Sequence, residues 1–190
     1  MDREHKDVLA YVEVSDGKPV NVGLELLTCA RSIADGAGGK VLAVLIGSGL
    51  DAAVKKVAAS GVDRVIVVTD PAYTAFRQDE YTSVLERLIR RYEPAVVLTG
   101  NTPLSIGLAP RLAARFQSGC VADVTSVRRE NGRLTWVTTR YCGTVLANEV
   151  ITNSALQFAT VRPGSFSKPE ASETAAPVEK ISVAVPADAV

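Results

Sequence analysis

Short apolar segments alternate along the chain with segments whose apolar residues recur every three or four positions. The apolar segments predict strands buried on both faces, and the periodic segments predict amphipathic helices. The predicted strands are residues 8–14, 41–46, 64–70 and 95–99, and the predicted helices are residues 26–37, 51–61 and 81–92. Strands that alternate with helices at short intervals indicate an α/β fold, with a doubly wound, mostly parallel sheet.

The pattern changes after Gly119. Residues 121–127, 134–141 and 145–151 predict consecutive strands, and Asn131-Gly132 predicts a hairpin turn between the first two, because both residues readily take positive φ. Residues 158–162 predict another strand. These segments add antiparallel or edge strands to the parallel core.

The last part of the chain has a different composition. Residues 163–177 are rich in Pro, Ser, Ala and Glu and predict an extended tether. Apolar residues then alternate at Ile181, Val183 and Val185, which predicts a strand that docks on an edge of this sheet or on a partner. The expected division is an α/β domain at 1–162, a tether at 163–177, and a docking strand with a tail at 178–190.

Charge and composition exclude several function classes. The chain has 190 residues with 21 basic and 21 acidic side chains, so nothing in the net charge favours nucleic acid or an anionic membrane. No apolar run approaches the roughly 20 residues that span a bilayer, and the first residues lack a signal-peptide pattern. We expect a cytoplasmic protein without membrane insertion.

Few residues are available for metal or nucleophilic chemistry. The three cysteines are widely spaced, and His5 is the only histidine. A histidine-based metal site or a Ser-His-Asp triad therefore has almost no residues from which to be built. We find no nucleophile, base and acid set, so no catalytic or metal-ligating residue is predicted.

A glycine pattern after the second strand suggests a dinucleotide site. Gly47 and Gly49 belong to a GxGxxA sequence, and Asp70 ends the next predicted strand. The usual fingerprint follows the first strand of its unit, and this one follows the second. A nicotinamide-dependent dehydrogenase is therefore the weakest of the functional hypotheses.

The turn after the fourth strand is the better candidate. Gly100 permits a sharp turn, Thr102 is expected to cap a helix, and Pro103 suits the first helical position. Free N–H groups at a helix start bind phosphate, and open α/β sheets bind ligands at the carboxyl ends of their strands. The candidate cofactor-binding residues are Gly100, Asn101, Thr102, Pro103, Ser105 and Arg111.

Two features of the same segment favour a structural role instead. Pro110 should kink the helix or confine its regular part to residues beyond about Leu108. Arg111 and Arg115 lie one turn apart, so they could meet a phosphate or an acidic partner, or pair with local carboxylates.

Four motifs resemble the electron-transfer flavoprotein alpha subunit. GNTPLSIGLAPRLAARF from Gly100 resembles that family's GATPLGRDLAPRVAARL-type segment. GCVADVT from Gly119, TRYCGTVLA from Thr139 and ATVRPGSF from Ala159 resemble its G-x-VAD-x-T, TRPAYGGNALA and MATVRPGVF segments. The motifs occur in the family's order and cover nearly the whole chain.

The resemblance implies the N-terminal domain of the alpha subunit, with a nucleotide-binding-like fold of the adenine nucleotide alpha hydrolase type. It implies a heterodimer with a beta-type subunit, in which FAD carries electrons from dehydrogenases to an acceptor. The family's FAD-binding second domain has no counterpart before Val190. We therefore expect FAD in the assembled complex, with a separate FAD-binding alpha domain as a possible further partner.

Two hypotheses remain from the sequence. The first is a non-catalytic part of an electron carrier that acts by assembly with a beta-type subunit. The alternative is a small adenine-nucleotide- or flavin-binding protein that holds AMP or FAD at the turn and helix start of residues 100–111.

Overall fold

A computed structural model describes residues 5–70, 73 and 75–183. Helices α1 to α4 span Asn21–Asp35, Asp51–Ala58, Gln78–Tyr92 and Leu108–Arg115. Strands β1 to β6 span Val8–Tyr11, Val14–Ser15, Lys18–Pro19, Val41–Gly47, Arg64–Thr69 and Val96–Gly100. Strands β7 to β11 span Cys120–Glu130, Arg133–Arg140, Val145–Glu149, Gln157–Val161 and Val178–Ile181.

Among the described residues, nine strands form one sheet in the order β11-β5-β4-β1-β6-β10-β7-β8-β9. Neighbouring strands pair in parallel from β11 to β7. The β7–β8 and β8–β9 pairs are antiparallel. The predicted doubly wound, mostly parallel sheet with added antiparallel strands is confirmed.

The sheet is covered on both faces. One core contains Leu26 of α1 and Val57 of α2, and the other contains Leu88 of α3 and Leu112 of α4. Strands β1, β4 and β6 lie between these layers and are buried at every position. This burial explains their uninterrupted apolar sequences.

Strand β1 is shorter than predicted. It ends at Tyr11, and Val14 already belongs to the small hairpin of β2 and β3. Asp16 and Gly17 turn this hairpin with φ angles of 50° and 72°, values that an Asp-Gly pair readily adopts. Val12 and Val14 extend the apolar pattern to the first residue of this hairpin, so periodicity alone did not locate the end of β1.

Strand β7 bends sharply at Asp123, where φ is 65°. Residues 120–124 pair with β10, and residues 124–130 pair antiparallel with β8. The far end lies near the end of α1, where Arg129 donates a hydrogen bond to the Ile33 carbonyl. Helix α1 ends at the side of the sheet where the parallel strands start. Residues 124–130 of β7 therefore run back toward that side. The predicted Asn131-Gly132 turn then joins it to β8.

Strand β11 docks on the edge of this sheet, parallel to β5. Glu179 contacts both Arg64 and Arg91 at 2.8 Å. The preceding segment follows the end of α2, because the Ser172 and Ala176 amides donate to its last carbonyls at 2.7 and 2.9 Å. Val185, which belongs to the predicted last strand, lies outside the described residues.

Within the described part of the chain, no helix has the length and apolar character needed to cross a membrane.

Candidate functional site

The strand order reverses between β1 and β6, which lie side by side in the sheet. From β1 the chain proceeds outward through β4 and β5, and then returns through α3 to β6 on the other side of β1. Such a reversal opens a crevice at the carboxyl ends of the two strands. Glu13 follows β1 at this position, and the turn at residues 101–107 follows β6. The fourth strand predicted from the sequence, β6, therefore borders the switch point.

The turn after β6 is held by its own side chains. Thr102 Oγ1 accepts the Ser105 N–H at 3.0 Å and lies 2.8 Å from Ser105 Oγ. Ser105 Oγ donates to the Gly100 carbonyl at 2.8 Å, and Ser105 is fully buried. Gly100 also leaves little space, since a Cβ there would lie 2.9 Å from a methyl group of Val22.

The predicted helix start at Thr102 and Pro103 is wrong. Helix α4 begins at Leu108, and Gly107 occupies the N-cap position. Thr102 caps a separate turn, because its carbonyl accepts the Ile106 N–H and its hydroxyl accepts that of Ser105. Pro110 is the third residue of α4, where its missing N–H costs no intrahelical hydrogen bond. The structure confirms that Pro110 confines the regular helix to residues from Leu108 onward.

Glu13 is a site residue that the sequence did not reveal. It is 7% exposed, and Thr102 Oγ1 donates to its Oε2 at 2.5 Å. Thr102 has a single hydroxyl proton, which this contact uses. The carboxylate therefore anchors the turn on the end of β1 and places negative charge beside it. A phosphate at this turn would meet that charge and engaged hydroxyl groups, so the residues present do not fit the phosphates of FAD or AMP.

Asn101, Asp123 and Arg162 tie the carboxyl ends of β6 and β10 to the bend of β7. Asn101 Nδ2 donates to Asp123 Oδ1 at 2.7 Å, and Arg162 Nε donates to the same oxygen at 3.0 Å. A second Arg162 nitrogen contacts Asp123 Oδ2. The Arg162 hydrogen bond, helped by Asn101, holds the pKa of Asp123 below its usual range. Asn101 therefore supports the fold at this edge through its amide.

Arg111 and Arg115 point to α3. Arg111 pairs with Asp79, and Arg115 contacts Glu86 at 2.7 Å. Of the alternatives for these arginines, the structure shows pairing with local carboxylates. Phosphate binding at residues 100–111 stays a prediction, and these contacts weigh against it.

A cavity of about 360 Å³ lies at the same edge, between the ends of β1 and β4. Tyr11, Tyr73 and Tyr81 line it, and burial raises the pKa of Tyr81 to about 12. Glu13 and Asp16 also line it, and no lysine or arginine does so among the described residues. The cavity is thus aromatic and acidic, which does not favour a phosphate.

The glycines of the GxGxxA sequence follow β4, the second strand of the parallel unit, as the sequence indicated. Gly47 and Gly49 have φ angles of 153° and 64°. These angles fit a tight turn between β4 and α2.

Exposed apolar side chains gather at the carboxyl-end edge of the sheet. Val124, at the carboxyl end of the parallel part of β7, pairs with Thr138, and Thr138 pairs with Ala147. The carboxyl-end edge of the sheet therefore continues across β8 to β9. We call five side chains near it the apolar edge residues: Leu104, Ile106, Tyr141, Val145 and Leu146, of which Tyr141 is 81% and Leu146 is 69% exposed. They lie in two segments, the turn after β6 and the β8–β9 hairpin, and large exposed apolar side chains of this kind are suited to an interaction surface.

Comparison with known proteins identifies relatives across most of the chain. The family described as "Electron transfer flavoprotein domain" matches residues 8–186. The electron transfer flavoprotein subunit alpha of Thermoanaerobacterium thermosaccharolyticum is 35% identical over 162 residues, which cover 85% of this chain and 49% of the relative. Protein FixB of Clostridium saccharobutylicum is 35% identical over 182 residues, covering 95% of this chain and 54% of the relative.

A third relative belongs to a named enzyme complex. The LctC subunit of the NAD(+),ferredoxin lactate dehydrogenase of Acetobacterium woodii is 34% identical over 167 residues, covering 87% of this chain and 40% of that protein. The chain thus spans about half the length of the relatives it matches. From the ordered motifs, the doubly wound sheet and these relatives, we conclude that the chain belongs to the electron transfer flavoprotein family, with alpha subunits among its relatives.

Proposed function

We propose that this chain is an assembly domain of an electron-transfer flavoprotein-like complex. It packs against a beta-type subunit and supports electron transfer from dehydrogenases through FAD, which the partner subunit or a separate FAD-binding alpha domain holds. The complex is a heterodimer in the cytoplasm. The observation that carries this proposal is the set of apolar edge residues, in a family whose members include subunits of electron-transfer complexes.

The chemistry of the switch-point edge supports a role in assembly. The turn hydroxyls are engaged internally, Glu13 adds negative charge, and Arg111 is paired with Asp79. The apolar edge residues, in contrast, expose large side chains whose burial would stabilise a complex by about 25 cal/mol per Å².

Mixing the chain with the beta-type subunit of its own organism tests the proposal. Size-exclusion chromatography with light scattering should show a complex of one copy of each. Leu146→Ser should weaken the complex at least about tenfold, as expected when a large apolar side chain leaves an interface. Val178→Ser is the matched control, because Val178 is also exposed. It lies on β11, and β11 and β9 are the two outermost strands on opposite sides of the sheet.

Two results would count against the proposal. One is the absence of any complex at micromolar concentrations of both proteins. The other is an equal loss of affinity in both variants.

The alternative, an AMP- or FAD-binding protein that acts alone, has a separate test. We expect the purified chain to lack flavin absorbance bands and to melt at an unchanged temperature in AMP or FAD. A ligand at 100 times its Kd would stabilise the fold by about 2.7 kcal/mol, a shift of several degrees. Such a shift, abolished by Ser105→Ala, would favour the alternative.

A further inference from the structure

A second cavity, of about 490 Å³, lies at the other edge of the sheet, where the parallel strands start. Ala37 after α1, Val96 at the start of β6 and Gly132 in the β7–β8 turn contribute to its walls. Ile151, in the segment that joins β9 to β10, and Gln157, the first residue of β10, close it. Its volume lies within the range of small-molecule sites.

The lining of this cavity is cationic. Lys6, Arg129 and Arg133 line it, and no aspartate or glutamate does so among the described residues. The chain as a whole carries equal numbers of acidic and basic residues. Arg129 and Arg133 therefore give this cavity a local excess of positive charge.

The two arginines of the cavity differ in their partners from ten others of the described chain. The Arg129 side chain donates to the carbonyl oxygens of Gly132 and Ile33, and the Arg133 side chain has no hydrogen bond or ion pair with a described residue. Both guanidinium charges are thus left without a carboxylate within the described part of the chain. Ten other arginines contact a carboxylate: Arg31, Arg64, Arg77, Arg90, Arg91, Arg111, Arg115, Arg128, Arg140 and Arg162.

Gln157 adds a neutral donor to the same lining. The indole Nε1 of Trp136 donates to Gln157 Oε1 at 2.9 Å. An indole nitrogen only donates, so the amide must turn its oxygen to Trp136, and its NH₂ group remains available as a donor. Thr152 and Ser154 supply hydroxyl groups to the lining. Cations and neutral donors together suit an oxyanion.

One wall of the cavity is apolar. Ile33, Val96 and Leu134 line it and are at most 6% exposed, and Ile151 packs on the same core. Ile151 is only half-buried, so a bare inorganic anion would leave its exposed apolar surface uncovered. A molecule with both an anionic group and an apolar part would cover it.

We propose that this cavity binds a small organic phosphate. The phosphate contacts Arg129 and Arg133, and the organic part lies on the wall of Ile33, Leu134 and Ile151. A phosphate monoester carries a charge of about −1.5 to −2 at neutral pH, which matches two guanidinium groups better than a monocarboxylate does.

Titration calorimetry of the full chain with phenyl phosphate tests this site, and Trp136 fluorescence provides a second readout because Trp136 is the only tryptophan. We expect saturable binding that weakens with added salt. Arg133→Gln should weaken it at least about tenfold, the loss expected for a hydrogen bond to a charged group. Arg128→Gln is the matched control, because neighbouring Arg128 pairs with Glu130 and Asn148 and does not line the cavity.

Absence of saturable phenyl phosphate binding, or equal weakening in Arg128→Gln and Arg133→Gln, would overturn the proposal. Two further ligands test the phosphate and the organic part separately. Benzoate has the ring with a single negative charge, and inorganic phosphate has the charge without the ring. Benzoate binding as tight as phenyl phosphate would contradict the role of the second charge. Inorganic phosphate binding as tight as phenyl phosphate would contradict the role of the apolar wall.

Discussion

At the scale of single residues, Thr99 and Thr102 show how hydrogen-bond partners decide whether a buried hydroxyl group stabilises the fold. Thr99 in β6 is fully buried and its Oγ1 has no hydrogen-bond partner among the described residues. Thr102 Oγ1, three residues later, contacts Glu13 and Ser105. The same substitution should therefore have opposite effects at the two positions.

Thr99→Val should raise the free energy of unfolding by about 1 kcal/mol, because it removes an unpaired polar group from a strand that favours valine. Thr102→Val should lower it by about 1–3 kcal/mol, because Glu13 and the Ser105 N–H lose their partner. Urea unfolding measures both values. A change of the same sign in the two variants would contradict the hydrogen-bond partners assigned to the two hydroxyl groups.

Asp123 gives a residue-scale prediction of pH dependence. Its pKa is lowered in the folded chain, chiefly by Arg162, so its contribution to stability is complete above the unfolded pKa of about 3.9. That contribution is lost as pH falls through the folded pKa. Asp123→Asn should therefore be less stable than the wild type at neutral pH, and the difference should shrink below about pH 4.

Urea unfolding of both proteins across this pH range measures the difference. A difference that stays constant, or that grows in acid, would show that the ion pair is not its cause.

The sequence alone did not predict these partnerships. Asp123 and Arg162 are 39 positions apart, and no sequence pattern links them. In the sequence, Glu13 is a polar residue near the end of an apolar strand segment. Both sets of contacts depend on which strand ends become neighbours. The turn at Gly100, Thr102 and Ser105 was predictable because a glycine followed by hydroxyl residues after a strand is a local sequence signal.

At the scale of elements, long periodic segments were predictable and their junctions were not. Helix α3 and strands β4 and β6 appeared near their predicted positions, since burial on a fixed face dictates their patterns. The start of α4 was wrong because Thr102-Pro103 has the composition of a helix cap and here begins a turn. The bend of β7 depends on Asp123 at positive φ, which its sequence does not announce.

Strand β11 should open before the centre of the sheet does. It has a neighbour on one side only, β5, and exposed residues alternate along it. Hydrogen exchange of its amides should be more than about tenfold faster than that of β1, which is buried between β4 and β6.

Glu179→Gln removes the charge that contacts Arg64 and Arg91, so it should speed exchange in β11 further and leave β1 unchanged. Equal protection of β11 and β1 in the wild type would mean that β11 is part of the cooperative core.

At the scale of the whole molecule, the two proposed surfaces lie at opposite edges of the parallel strands. The cavity of Arg129 and Arg133 lies where the strands start, and the apolar edge residues lie where they end. The two functions should therefore be separable. Arg133→Gln should bind the beta-type subunit as the wild type does, and Leu146→Ser should bind phenyl phosphate as the wild type does. Chromatography and calorimetry on both variants check this, and a shared loss would indicate one coupled surface.

The docking of β11 also makes the two sides of the sheet unequal. On that side the last strand is four residues long and carries Glu179 and Lys180, features that discourage pairing with another chain. On the other side β9 ends the sheet with exposed Val145 and Leu146. Polymerisation in series would require β9 of one copy to pair with β11 of the next, and the short, charged β11 disfavours that contact. Growth by strand addition is restricted to one side, and a single partner seated there would complete the assembly.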